Sequence, residues 1–209
     1  MSDKAIIMLG AGGHAKVLLD ILLDCGANVI GILDQIPRGA GLFGVPIIGT
    51  DDDIKNYSTT AVELVNGLGS INVVGARANI FKKFKAIGYN FRSVIHSSAI
   101  VSRRAQLGEG VQIMAGVVIN PGTRIGDNAI INTRASIDHD CRIAAHVHIA
   151  PGCVLSGGVT IGSRTHIGTG SSIIQGINIG EKVLIGAGSV VVHDIPDGVK
   201  AFGVPAQVR

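Results

Sequence analysis

The chain has 209 residues and a net charge of +3, which is too small an excess to indicate a nucleic-acid partner. Apolar residues make up 46% of it, and the mean hydropathy is +0.44, yet no apolar run approaches the ~20 residues of a membrane-spanning helix. With 30 glycines and no tryptophan, the core must consist of small and β-branched side chains, which favours regular, turn-rich β structure. The first residues do not form a signal-peptide pattern. We therefore expect a cytoplasmic protein without a membrane partner.

Neither the basic residues nor the cysteines indicate a ligand. We interpret the one basic cluster as the solvated side of a helix; it comprises Lys82, Lys83, Lys85, Arg77 and Arg92. The cysteines form no CxxC pair and are expected to be small buried side chains; they are Cys25, Cys141 and Cys153.

The first 95 residues alternate strand and helix patterns, which is typical of an open α/β sheet. We expect strands at residues 5–9, 29–34, 61–66 and 91–95, and helices at residues 15–25 and 79–87. Fewer than a hundred residues leave room for only half of a doubly wound fold.

A glycine-rich turn connects the first strand to the first helix. Residues 10–15 read GAGGHA, which fits G-x-G-x-x-G/A, and Asp34 ends the second strand where a ribose-binding acid belongs. Backbone N–H groups at a helix N-terminus hold phosphate, so the turn suits either NAD or a sugar nucleotide, and a plain tight turn is the third interpretation. We favour the sugar nucleotide because no hydride-transfer domain follows.

The second half of the chain carries a six-residue repeat. From Val101 to Val191, all sixteen positions in steps of six are Ile, Leu or Val, which chance would give with a probability of about 4 × 10⁻⁶ at this composition. Four residues after each of them, smaller side chains recur. The pattern predicts a triangular coil of eighteen residues, with a large residue inside each face and a small one at each vertex. Coils would stack at the β spacing of ~4.8 Å.

Residues 132–148 hold the densest group of candidate catalytic side chains. His139 lies two residues after the interior Ile137, so we expect it at a corner that faces outward. A histidine of near-neutral pKa is suited to take a proton from an attacking amine or hydroxyl. A carboxylate that accepts the other ring N–H fixes the tautomer, and Asp140 is the candidate.

The hexad pattern resembles the hexapeptide-repeat acyltransferases, whose fold is a left-handed parallel β-helix. Four segments narrow the resemblance to the sugar acyltransferases that include sialic acid O-acetyltransferases and bacillosamine N-acetyltransferases; they are GAGGH at 10–14, INTRASIDHD at 131–140, HVHIAPGCVLSGGVTIG at 146–162 and FGVPAQV at 202–208. The resemblance covers essentially the whole chain. It implies an α/β + β fold class: a small Rossmann-like nucleotide-sugar-binding domain over residues 1–95, then a left-handed parallel β-helix over residues 96–209 that ends in a C-terminal tail.

The resemblance also implies an activity and its residues. His139 would be the general base and Asp140 the acid beside it, while Asp138 stands where glutamate is common in the family. Substrate-binding residues would be Gly12, Gly13, His14, Asp34 and Asn132, and residues near acetyl-CoA would be His148, Gly157, Thr169 and Ala187. Acetyl-CoA is then the co-substrate, a nucleotide-linked sugar is the acceptor, and a homotrimer has its active sites between neighbouring β-helices.

Three alternatives remain beside N-acetylation of a nucleoside-diphosphate amino sugar. O-acetylation of a sialic-acid-type sugar would use the same base, and an NAD-binding module is the alternative from another class. His148 and His166 are eighteen residues apart and would stack on adjacent coils, with His146 nearby. Histidines grouped in this way suggest a zinc site as a third alternative. Zinc-binding hexapeptide-repeat carbonic anhydrases space their three histidines differently, so we expect no metal.

Overall fold

The computed structural model describes residues 4–36, 39–70 and 75–209. The chain divides into two compact units, one formed by residues 1–69 and 76–94 and the other by residues 70–75 and 95–209. The division lies next to the domain boundary that we predicted after residue 95. Ser70 and Gly75, which precede that boundary, group with the second unit.

Within the described residues, the first unit contains a five-stranded sheet in the order β3-β4-β2-β1-β5, in which only β3 and β4 pair antiparallel. Its strands are β1 Ala5–Leu9, β2 Val29–Leu33, β3 Gly41–Leu42, β4 Val45–Gly49 and β5 Val62–Asn66. Its helices are α1 Gly13–Asp24, a 3₁₀ helix Asp51–Asn56 and α2 Ala76–Ala86. The sequence predicted β1, β2, β5 and both α-helices but not the β3–β4 hairpin.

Strand β1 lies between β2 and β5, and its side chains are buried on both faces of the sheet. Residues 6–9 are fully buried, as expected for a parallel strand covered on both faces. Helix α1 packs the apolar residues of one face inward, among them Ala15, Leu18 and Leu22. The turn before α1 therefore lies at the carboxyl end of a rigid strand.

The second unit is a parallel β-helix whose described strands form three sheets. One sheet contains Ile100–Val101, Val118–Ile119, Ser136–Ile137, Val154–Leu155, Ser172–Ile173 and Val190–Val191. A second contains Gln106–Leu107, Arg124–Ile125, Arg142–Ile143, Thr160–Ile161 and Asn178–Ile179. The third contains Val94–Ile95, Gln112–Ile113, Ile130–Ile131, His148–Ile149, His166–Ile167, Leu184–Ile185, Lys200–Phe202 and the antiparallel Gln207–Val208.

The predicted eighteen-residue coil is present in the strand register. Ile137 pairs with Ile119 on one side and with Leu155 on the other, so residues eighteen apart lie directly above one another. The large residue of each hexad fills the interior, and the smaller residue is buried at the vertex, as at Ala135 and Cys153. Polar vertex residues form hydrogen bonds to the backbone of the next coil. The Thr165 hydroxyl, for example, donates to the Gly180 carbonyl at 2.7 Å.

The corners from residue 110 onward each place one residue in the left-handed region of backbone space. From residue 110 to residue 188, every sixth residue has a positive φ; many are glycines, but Asn128, Arg134 and Asp140 adopt it as well. The glycines that follow the large hexad residue serve another purpose. A Cβ on Gly126 would lie 2.6 Å from the backbone nitrogen of Ala145, so these positions are small because adjacent coils approach closely.

Two sequence interpretations are wrong, and the one about the basic cluster fails at both arginines. Arg92 lies beyond α2, which ends at Ala86, and its side chain is 19% exposed and paired with Glu63. Arg77 does not lie on a solvated helix face; it is 4% exposed, and burial lowers its pKa to about 9. Its guanidinium donates to the carbonyls of Asn66 and Leu68 at 2.9 and 2.7 Å. Cys25 is exposed, whereas Cys141 and Cys153 are buried as expected. Among the described residues, no helix is long and apolar enough to cross a membrane.

Candidate active site

His139 lies on an exposed corner between the strands Ser136–Ile137 and Arg142–Ile143. Its Nδ1 is 2.9 Å from Oδ2 of Asp140, and the side chains are 57% and 71% exposed. Asp140 reaches the ring because its backbone has a φ of 60°, a conformation that aspartate tolerates better than most residues. The ring therefore donates its Nδ1 proton to the carboxylate, which leaves the Nε2 lone pair free to accept a proton.

Two carboxylates set the charge around this ring. The hydrogen bond to Asp140, and next the charge of Asp138, raise the pKa of His139 above its ordinary value. Hydrogen bonds from the His139 amide and from Asn120 hold the pKa of Asp138 below its ordinary value. Both effects stabilise the imidazolium that forms when His139 takes a proton.

Gly157 lies beside the free edge of the His139 ring, one coil further along the chain. A Cβ at residue 157 would be 2.7 Å from both Cε1 and Nε2 of His139. The amide of Gly158 donates to the His139 carbonyl at 2.9 Å. We placed Gly157 near acetyl-CoA from the resemblance, and the structure adds that it provides the space next to Nε2.

His148 belongs to a different part of the coil, in the strand His148–Ile149. It is buried, and its Nδ1 lies 2.7 Å from the carbonyl oxygen of Ser70, so Nδ1 carries the proton. Nε2 then accepts from the side-chain amide of Asn132 at 3.2 Å. The structure thus joins the predicted residues Asn132 and His148 to each other. Ser70 was missed because nothing in the local sequence indicates a contact across 78 positions.

His166 completes this pair of stacked histidines. Its ring meets that of His148 edge to face, with centroids 4.7 Å apart. Its Nδ1 is buried, and burial lowers its pKa, against a smaller opposing effect of the Ser70 backbone. Within the part of the chain that the structure describes, no three His, Cys, Asp or Glu side chains form a group that could hold a metal ion.

The glycine turn of the first unit is built around Asp34. One carboxylate oxygen accepts from the Ala11 amide at 2.6 Å and the other from the Ile36 amide at 2.8 Å. Asp34 thus fixes the turn, a role that the sequence did not predict. Gly12 caps α1, and a Cβ on Gly12 or Gly13 would meet nothing within 4 Å. Among the described residues, no side chain occupies the space beside these two glycines.

Thr169 and Ala187 stack at another corner of the β-helix. Both are exposed, and they stand eighteen residues apart, with the Gly188 amide donating to the Thr169 carbonyl at 2.8 Å. This corner joins the sheet of His148 to the sheet that precedes His139 along the chain. The chain therefore places Thr169 and Ala187 on one edge of the β-helix, and His139 and Gly157 on another.

Family matches cover both units. The PglD N-terminal domain family matches residues 5–84, and the bacterial transferase hexapeptide family, with six repeats, matches residues 104–139, 122–157 and 140–175. Uncharacterized protein L142 of Acanthamoeba polyphaga mimivirus is 41% identical over 54 residues, and this match spans 26% of the chain but only 11% of the viral protein.

Solved structures match over the full length. PerB from Caulobacter crescentus, crystallised with CoA and GDP-perosamine, is 41% identical with a TM-score of 0.92, and the match covers 100% of this chain and 98% of that one. The acetyltransferase domain of PglB from Neisseria gonorrhoeae, in complex with acetyl coenzyme A, is 35% identical with a TM-score of 0.91 and complete coverage of both chains. WeeI from Acinetobacter baumannii, at 23% identity, shares the fold with a TM-score of 0.82, and the match covers 99% of this chain and 100% of that one.

The stacked coils and the hexapeptide family match place the chain in the class of hexapeptide-repeat acyltransferases. Within that class, the chain belongs to the sugar N-acetyltransferases whose first domain is the PglD N-terminal domain. The predicted fold class, a Rossmann-like domain followed by a left-handed parallel β-helix, is confirmed. N-acetylation of a nucleotide-linked amino sugar, with acetyl-CoA as the donor, is confirmed as well.

Proposed function

We propose that His139 is the general base that activates the amine of the acceptor sugar. The observation that carries the proposal is the hydrogen bond from Nδ1 to Asp140, which leaves Nε2 unprotonated at the exposed edge of the ring. The sugar amine attacks the thioester carbonyl, Nε2 takes the proton that the nitrogen loses, and the C–S bond breaks. The proton then passes to the departing sulfur, so that CoA leaves as the thiol. Asp140 keeps the tautomer and stabilises the imidazolium.

We propose that the acceptor is a GDP-linked amino sugar of the perosamine type. The relative that was crystallised with GDP-perosamine is 41% identical over the full chain. The turn that contains Gly12, Gly13 and His14 would bind the diphosphate through backbone N–H groups at the start of α1, and the open space over both glycines supports this. Asp34 would act mainly by holding this turn in shape.

We propose that acetyl-CoA lies along the corner of Thr169 and Ala187, with Asn132 and His148 behind it. Gly157 would then lie where the thioester meets His139. Because one chain carries Thr169 and His139 on different edges of the β-helix, a neighbouring copy must supply one of the two edges. This supports a homotrimer with active sites between subunits. Light scattering that showed a stable monomer at micromolar concentration would contradict this assembly.

We also propose that the enzyme works in the cytoplasm, where acetyl-CoA and nucleotide sugars are both supplied. Fractionation of cells that express the full chain, followed by immunoblotting, would test this. Recovery in the membrane or extracellular fraction would contradict it.

Thiol release from acetyl-CoA tests the reaction directly. GDP-perosamine should support turnover, and a UDP-linked amino sugar should support it less well. His139→Ala should lower kcat by about 10²–10⁴, the range for a lost general base, with an almost unchanged melting temperature because the side chain is 57% exposed. The matched control is His146→Ala: His146 is also a corner histidine, and it bonds Asn128 at 3.0 Å. Near-normal turnover of His139→Ala would refute the mechanism.

A further inference from the structure

Asp138 connects the catalytic corner to the preceding coil. Its Oδ1 accepts from the His139 amide at 2.8 Å and from the side-chain amide of Asn120 at 2.9 Å. Asn120 is eighteen residues earlier and therefore directly adjacent in the stack. The other coils carry Ser102, Ser156 and Ile174 in this column, so Asn120 is the side chain in it that provides an amide for Asp138.

The backbone of the same corner is fixed from both sides. The Thr123 hydroxyl donates to the Asp138 carbonyl at 2.9 Å, and the Asp140 amide donates to the Pro121 carbonyl at 3.1 Å. The coil that follows adds the Gly158 amide on the His139 carbonyl. With the backbone held in this way, the Asp138 side chain is the part of the corner whose orientation depends on Asn120.

The geometry points to Asn120 as a positioning residue for the acetyl transfer, acting through Asp138 on His139. The inference rests on the proposed role of His139 as the base. Asn120 orients the Asp138 carboxylate, which accepts a hydrogen bond from the His139 amide. The carboxylate then places a negative charge near the imidazole, in addition to that of Asp140. Asp140 sets the tautomer from the other side.

The charges that face His139 are few. Within the part of the chain that the structure describes, the charged groups that act on it are Asp140 and Asp138. The adjacent coils present Pro121 on one side and Gly157 and Gly158 on the other, and none of these ionises. The Cys141 thiol nearby is buried, and desolvation raises its pKa, so it stays neutral. A change at Asp138 is therefore visible in the pH dependence of His139.

The chain contains a matched control for this pair. The Asn178 side chain donates to Asp194 at 3.2 Å across two coils, and the Asn178 amide donates to the same carboxylate at 2.7 Å. As at Asp138, hydrogen bonds from a backbone amide and then from an asparagine side chain lower the pKa of Asp194. This second Asn–Asp pair lies on the same edge of the β-helix, three coils beyond His139.

The test is a double-mutant cycle on the full-length enzyme with Asn120→Ala, Asp138→Asn and both together. Asn120→Ala should lower kcat about tenfold, the order expected when one hydrogen bond to a charged group is lost. The Michaelis constants should stay unchanged, and the rising limb of the pH–kcat profile should move to lower pH. The double variant should be no worse than Asp138→Asn alone, because both changes act on one carboxylate. Asn178→Ala should keep the parental profile.

Two results would overturn the inference: a parental pH profile for Asn120→Ala, or losses that multiply in the double variant. If Asn120→Ala does not fold, the Asp138→Asn variant tests the inference instead, because it keeps the shape and the acceptor oxygen of the side chain and removes only the charge. A pH–kcat profile of Asp138→Asn with the parental rising limb also overturns the inference. Failure of the proposed role of His139 as the base is a separate outcome, which near-normal turnover of the His139→Ala variant would show.

Discussion

Gly157→Ala tests whether the open edge of His139 is the reactive edge. The new Cβ would lie 2.7 Å from Nε2 and Cε1 of the ring, whereas nonbonded carbon and nitrogen atoms settle at about 3.5 Å or more. Nε2 must therefore retreat by roughly 1 Å. A displacement of that size costs about 10²-fold when a catalytic group is misplaced, so kcat should fall by about two orders of magnitude.

The same substitution should leave the fold intact. Gly157 does not have a positive φ, so alanine fits its backbone and removes freedom from the unfolded chain, which is worth about +0.5 kcal/mol of stability. The His139 ring is exposed and moves at little cost. Thermal unfolding should thus show an equal or slightly raised melting temperature. Gln175→Ala is the control, because Gln175 is exposed and lies one coil further in the column of His139 and Gly157.

Steady-state kinetics with both substrates separate the two possible effects. Displacement of the base predicts a lower kcat at saturating acetyl-CoA. A raised KM for acetyl-CoA with an unchanged kcat would mean that the methyl group obstructs the donor and leaves His139 in place, which would refute the reasoning. Parental values for both constants would show that the free edge of the ring has no part in the reaction.

Three further predictions concern other parts of the site and the fold. Asp140→Asn keeps a residue that tolerates positive φ but removes the charge, so the pKa of His139 should fall. The rising limb of the pH–kcat profile should then move to lower pH and reach a lower plateau. A rising limb at the parental pH would contradict the pairing of Asp140 with His139. Gly12→Val should weaken nucleotide-sugar binding in calorimetry and spare acetyl-CoA binding, and equal affinities would make the turn merely structural. Arg77→Met leaves buried carbonyls without donors and should destabilise the first unit by about 3 kcal/mol, measured by urea denaturation; an unchanged midpoint would contradict the role of the buried guanidinium.

The β-helix could be predicted from the sequence because every sixth residue occupies the same environment. Ile119, Ile137 and Leu155 stack inside one face, and a polar residue there would have no partner. The antiparallel β3–β4 hairpin could not be predicted in this way, since two residues of β3 carry no periodicity. Arg77 was assigned to the surface because its charge was weighed without its partners, which are carbonyls at the end of β5 and just after it.

The candidate site was predictable where sequence distance and spatial distance agree. Asp140 is next to His139 in the chain, so their pairing followed from local reasoning. The eighteen-residue repeat also relates Gly157 to His139 and Asn120 to Asp138, so the sequence indicates that these residues are neighbours. The Ser70 carbonyl that fixes the His148 tautomer was not, because it reaches the coil from a segment that no repeat relates to it.

The sequence predicts some residues better than others because buried and exposed positions of the coil have different roles. Interior and vertex residues such as Ile137 and Cys153 are buried and determine stability, whereas corner residues such as His139 and Asp140 are exposed and determine chemistry. Left-handed corners accept Asn, Asp, Arg, His and Lys as well as glycine, so a corner can change function without repacking the core. The stacking step then couples each corner to its neighbours eighteen residues away. Substrate preference in this scaffold should therefore depend on columns of corner residues, and a catalytic histidine is specified only together with the residues above and below it.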